Sequence, residues 1–221
     1  MALTKYNYNS FDVTPVASKA MAFNSGANGL TTAAGGAMTL IKEQTASSSA
    51  TISFIHGTSD VVFDNTYPIY KFVYINVHPQ TDDVHFQGNF TTDGTNFNVT
   101  KTTSSFYAYH NEGDTATALA YAAAYDVAQG TGDFQFQQSA ENENDHGING
   151  EMYFFNPSST TYVKHFLSTH SGNISSATTY AFNTFHAGYA NTTSAITGVR
   201  FLFSSGNIDA GTFKLYGIKD S

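Results

Sequence analysis

The chain has 221 residues, of which 12% are charged and 15% aromatic, with no Cys, no Trp and a formal net charge of −8. This composition disfavours a coiled coil and a disordered tail, and the lack of cysteine excludes disulfides, thiolate metal sites and Cys nucleophiles. With only 9 Lys plus Arg and no basic run, we expect no binding to nucleic acid or to anionic membranes. No apolar run reaches the roughly 18 residues of a membrane span, and no secretory pattern opens the chain, so we expect folding in a cytosol.

Residues 1–36 differ from the rest of the chain in composition and in the spacing of their apolar residues. Small, turn-forming residues at 25–29 and 33–36 separate apolar residues that follow no clean period. This pattern predicts an extended N-terminal arm that packs on a neighbouring subunit and serves as an assembly anchor. Residues 37–221 are then the folded domain.

Alternating apolar and polar residues predict a series of β-strands from residue 38 onward. Residues 38–44 and 50–55 are predicted strands joined by a turn at 46–49, and Asp93-Gly94 predicts a hairpin from 84–91 to 97–99. Residues 69–77 are apolar on both faces, which predicts a central strand covered on both sides. Further strands are predicted at 105–110, 134–137, 152–155, 162–167, 179–185, 199–203 and 212–218.

One Ala-rich segment, residues 115–127, favours an α-helix of about three turns, because Ala has the highest helix propensity. A strand is the alternative, because tertiary context overrides such propensities. About ten strands with at most one short helix predict an all-β fold, a two-sheet antiparallel, jelly-roll-like sandwich with an extended N-terminal arm.

The spacing of the candidate ligands bears on two kinds of metal site. A transition-metal site is disfavoured, because an offset of five places His165 and His170 on opposite faces of a continuous strand. The densest acidic stretch supplies Glu141, Glu143 and Asp145 as candidate Ca²⁺ ligands, although a solvated turn explains it equally well. We therefore expect no obligatory cofactor, with Ca²⁺ as the open alternative.

The sequence contains no pattern typical of an enzyme. It has neither a Gly-x-Ser-x-Gly nucleophile elbow nor a phosphate-binding Gly-rich loop followed by Lys. We therefore predict a chain without catalytic residues. Tyr107, Tyr109 and His110 are candidate sugar-stacking residues, and packing between sheets is the alternative for the aromatic pair.

The C-terminal residues 203–219 contain Ser-Gly-Asn-Ile at 205–208 and Lys-Leu-Tyr-Gly at 214–217. This stretch resembles the ending of small virion proteins of tailed bacteriophages, especially marine and cyanobacterial ones, and residues 69–77, 91–97 and 148–157 add to the resemblance. It implies a non-enzymatic jelly-roll-like β-sandwich on the particle surface, as a capsid decoration or a short tail fibre or spike component. No catalytic residue is carried over.

The same resemblance sets the expected partners and location. We expect a virion protein, assembled in the host cytoplasm, that contacts other capsid or tail proteins through the arm. Because sandwiches have exposed sheet edges that assembly can cover, we also expect a homo-oligomer, a homotrimer in the first instance. The alternative function is a receptor-recognition module of a tail fibre that binds host-surface carbohydrate.

Overall fold

A computed structural model describes residues 36–174 and 179–219, together with the backbone of two short strands nearer the N-terminus. These strands, β1 (Met21–Phe23) and β2 (Leu30–Thr32), pair antiparallel with each other. The rest of the predicted arm lies outside the described residues. The chain divides into two compact units, Met1–Thr39 and Leu40–Ser221.

Twelve further strands form two antiparallel sheets. The larger sheet has the order β3-β14-β5-β10-β11-β12-β7-β8, and the smaller has the order β4-β13-β6-β9. This confirms the predicted all-β, two-sheet antiparallel sandwich. Their bounds are β3 Met38–Ser49, β4 Ile52–Ile55, β5 Ile69–Pro79, β6 Val84–Thr91, β7 Lys101–Asn111, β8 Thr117–Tyr121, β9 Phe134–Ala140, β10 Ile148–Phe155, β11 Lys164–Ile174, β12 Tyr180–Ala190, β13 Gly198–Phe203 and β14 Ile208–Ile218.

Aromatic side chains fill the space between the two sheets. Alternation along β5 turns Tyr70, Phe72 and Tyr74 inward, and each is at most 1% exposed. The ring of Phe201 from the smaller sheet lies 5.5 Å from Phe72 and 5.0 Å from Tyr74. Burying one such ring contributes about 1.5–3 kcal/mol, so the core rests on aromatic packing between sheets.

The prediction that residues 69–77 are covered on both faces is wrong for one of the two faces. The strand is central, paired with β14 and β10, but Ile75 is 38% exposed. The four-stranded sheet covers one face of the larger sheet, so the apolar residues on the opposite face of β5 are not fully buried. We call this opposite face of the larger sheet its outer face.

The predicted helix at 115–127 is wrong. Residues Thr117–Tyr121 form edge strand β8, paired with β7, and the chain then turns. The Asn111 side-chain oxygen accepts hydrogen bonds from the backbone N–H groups of Thr115 and Ala116, both at 2.9 Å, and so holds the turn between the strands. Pairing with β7 supplies hydrogen-bond partners for the backbone N–H and C=O groups of this segment. Tertiary context therefore overrides the helix propensity of alanine.

Two connections also differ from expectation. Strand β3 continues through Ser49, so the predicted turn at 46–49 is wrong. The Asp93 carboxylate accepts hydrogen bonds from the Asn96 side-chain amide at 2.7 Å and from the backbone N–H groups of Asn96 and Thr95 at 2.7 and 2.8 Å, and these bonds lower its pKa. The turn is therefore present, but residues 97–99 form no strand, and the chain crosses into the larger sheet as β7.

Candidate functional site

The three predicted sugar-stacking residues lie along β7 but do not share a face. Tyr107 and Tyr109 are half-buried on the inner side, with ring centroids 5.1 and 6.3 Å from that of buried Phe182. His110 lies on the outer face, where its Nε2 is 3.0 Å from an Asp114 carboxylate oxygen. Successive residues of a strand alternate between faces, so His110 does not converge with the tyrosines.

The acidic stretch contributes two of its three predicted residues to a cluster. Carboxylate oxygens of Glu141, Glu143 and Asp82 lie within 4.8 Å of one another. Asp145 lies instead beside His146, with its oxygen 3.1 Å from Nδ1. Sequence reasoning missed Asp82 because it is distant along the chain, although the Asp82-Asp83 pair was visible as a local concentration of charge.

Two loops hold this cluster together by backbone hydrogen bonds. The Asn142 N–H donates to an Asp82 oxygen at 2.9 Å, and the Asp83 N–H donates to a Glu141 oxygen at 3.3 Å. Partial burial, together with the charges of Asp82, Glu143 and Asp83, raises the pKa of Glu141. Clustered carboxylate oxygens of this kind are ligands that a hard cation such as Ca²⁺ prefers.

The histidines are arranged as the strand alternation predicts. His165 is exposed and His170 is buried, so they lie on opposite faces of β11. His170 packs 5.8 Å, ring to ring, from buried His186 inside the core. Among the residues that the structure describes, the acidic cluster is the one place where three metal-ligating side chains converge.

An open trough crosses the outer face of the larger sheet. Its main depression, of about 570 Å³, is lined by strands β5, β10, β11 and β12. A smaller depression of about 210 Å³ continues it toward β7 and shares Thr169 and Phe185 with it. We call both together the outer-face trough. The residues that characterise its lining are Ile75, Asn149, Glu151, Thr169, Ser171, Asn183, Phe185 and Phe106.

The trough combines an aromatic wall with uncharged polar groups. Phe185 and Phe106 stack with ring centroids 4.8 Å apart and an interplanar angle of 11°. Glu151 is held by Lys71, whose Nζ lies 2.6 Å from its carboxylate. Sequence reasoning did not find this site, because its lining comes from several strands and because Thr169 and Ser171 lie beyond the predicted strand 162–167.

Comparison of the chain with protein-family models, with curated proteins and with solved structures gave no match. Among the residues described, no helix has the length and apolarity required to cross a membrane.

Proposed function

We propose that this chain is a non-enzymatic structural protein of a tailed-bacteriophage particle, placed on the particle surface as a capsid decoration or a short tail fibre or spike component. The observation that carries the proposal is the position of the C-terminal stretch that resembles such proteins. Its residues Ile208–Ile218 form β14, which lies inside the larger sheet between β3 and β5. The resemblance therefore concerns residues that build the sandwich.

Individual residues of this stretch support a structural role. Ile208 and Leu215 are fully buried. Gly211 has a φ of +138° and lies where a Cβ atom would come within 2.9 Å of the Cα of Val77. Gly217 packs directly against the ring of Tyr67. Each of these positions is restricted by packing or by backbone conformation.

Assembly into a homo-oligomer, with a trimer as the first expectation, is supported by the ends of the larger sheet. Strands β3 and β8 form its two edges. Near these edges Leu40, Leu119 and Tyr121 are 48%, 73% and 59% exposed. Unpaired strand edges with apolar neighbours are typical surfaces for association with another chain.

The test is to locate the protein on particles by immunogold electron microscopy. We expect label on intact virions, at the head surface or at the tail tip. Label confined to infected-cell lysate, with none on purified particles, would overturn the proposal.

A second candidate function, recognition of host-surface carbohydrate, is favoured by the outer-face trough. It is compatible with a virion location, since an exposed sheet can both decorate the particle and contact the host.

A further inference from the structure

We propose that the outer-face trough binds a neutral oligosaccharide. This inference rests on the second candidate function and specifies its site and ligand class. It does not depend on where the protein sits on a particle. Three properties of the trough carry it: shape, hydrogen-bonding groups and charge.

The shape suits an extended ligand. The two depressions share Thr169 and Phe185 and together have lining residues on β5, β10, β11, β12 and β7. Five neighbouring strands spaced about 4.8 Å apart span roughly 19 Å. The trough is open and crosses the strands, so it fits a chain of sugar rings laid along the surface better than a compact molecule enclosed in a cavity.

The lining supplies both kinds of contact that a sugar ring needs. The stacked pair Phe185 and Phe106, 37% and 45% exposed, offers rigid apolar surface for the C–H groups of a pyranose. Within the described chain, the side chains of Thr169, Ser171 and Asn183 make no hydrogen bond to protein, which leaves their donors and acceptors for ligand hydroxyls. A few such polar groups beside apolar surface are typical of a small-ligand site.

The charge distribution selects neutral ligands. Glu151 is the one carboxylate among the residues lining the trough, and its salt bridge with Lys71 neutralises it. No arginine or lysine belongs to that lining, and the whole chain carries a net charge of −8. An anionic glycan would meet no free cation here and would be repelled by the overall field.

The alternative occupant, a second copy of this chain, is less well matched to the trough. Among the described residues, the most exposed large hydrophobic side chains are Leu119 and Tyr162, at 73% each, and both lie outside the lining. The trough itself presents unpaired amide and hydroxyl groups on β11 and β12. A second copy that covered them would have to supply matching partners, because burying them unpaired costs free energy.

The experiment is a glycan-array screen with the purified full-length chain, followed by titration of the strongest neutral hits. We expect binding to neutral oligosaccharides and little to sialylated or sulphated ones. Phe185→Ala and Asn183→Ala should each weaken binding roughly tenfold, as expected for loss of one ring contact or one hydrogen-bonding group. Tyr162→Ala, an exposed aromatic residue outside the trough, is the matched control and should bind like wild type. Circular dichroism checks that each variant is folded.

Three outcomes would overturn the inference. One is a flat array for the folded wild-type chain, and another is glycan binding unchanged in both trough variants. The third is a self-association in solution that Phe185→Ala abolishes while no glycan binds, which would assign the trough to an interface between copies. None of these bears on the virion proposal, which immunogold labelling of particles tests separately.

Discussion

Two histidines, His170 and His186, are buried inside the aromatic core. His170 is 3% exposed, stacks on Tyr74 at 5.5 Å, and has no hydrogen-bond partner within the described chain for either ring nitrogen. His186 Nε2 donates to the Phe136 carbonyl at 2.7 Å. Burial lowers the pKa of His170 well below its usual value and that of His186 to about 4. Both are therefore neutral in the folded chain at neutral pH.

We predict that these histidines make the fold acid-sensitive. Because their folded-state pKa values lie below the unfolded value of about 6.5, the unfolded chain binds protons first as the pH falls. Stability should therefore decrease from about pH 6.5 toward pH 4, and His170→Phe should reduce that slope. Thermal unfolding of both proteins across this range measures it, with exposed His165→Phe as control. An identical slope in wild type and His170→Phe would contradict the prediction.

The acidic cluster gives a second prediction at this scale. The raised pKa of Glu141 means that its charged form is disfavoured in the fold, so Glu141→Gln should raise the melting temperature at neutral pH in a chelating buffer. This gain should vanish below the carboxyl's usual pKa of about 4.3, where the carboxyl is protonated in the folded and unfolded chain alike.

The calcium hypothesis adds a further expectation to the same measurement. Ca²⁺ should raise the melting temperature of wild type more than that of Glu141→Gln, because the three carboxylates are brought together only in the folded chain. Glu112→Gln, at an exposed glutamate outside the cluster, is the control and should respond like wild type. A calorimetric titration without heat, together with an unchanged melting temperature, would contradict the hypothesis.

At the scale of elements, β14 lies inside the larger sheet between β3 and β5. It pairs with β5 over most of its length, with register shifts near Ala210. The irregular backbone is accommodated by Gly211, whose positive φ and closeness to Val77 leave no room for a side chain. The C-terminal stretch therefore requires a glycine at position 211.

We predict that Gly211→Ala destabilises the domain by about 1–3 kcal/mol, because the new methyl group meets backbone and the φ is unfavourable for an L-residue. Gly132→Ala is the matched control, since a Cβ there meets no atom within 4 Å. Urea unfolding followed by fluorescence compares the two variants. Equal stability of both would show that β14 tolerates a side chain at this position.

At the scale of the whole molecule, residues Leu40–Ser221 form a compact unit with its own aromatic core. We predict that a chain lacking residues 2–36 folds with a melting temperature close to that of the full chain, as measured by circular dichroism. If the arm anchors the protein, the truncated chain should fail to enter particles while the full-length chain does. Normal incorporation of the folded truncation would refute the anchoring role.

Much of the fold could be predicted from the sequence alone. The alternation at Tyr70, Phe72 and Tyr74 identified a strand and placed these three residues on one face, because side chains of a strand point to opposite sides. The spacing of His165 and His170 likewise placed them on opposite faces. These are local consequences of backbone geometry, so they do not depend on what the strand pairs with.

The tertiary structure decided what lies against each strand. Pairing with β7 made residues 117–121 a strand despite their alanines, and the placement of the smaller sheet on one side left Ile75 half-exposed. Contacts between distant segments brought Asp82 to Glu141 and aligned Phe106 with Phe185. Local sequence specifies which face a residue occupies, whereas the surfaces made by several strands depend on long-range pairing, which periodicity does not encode.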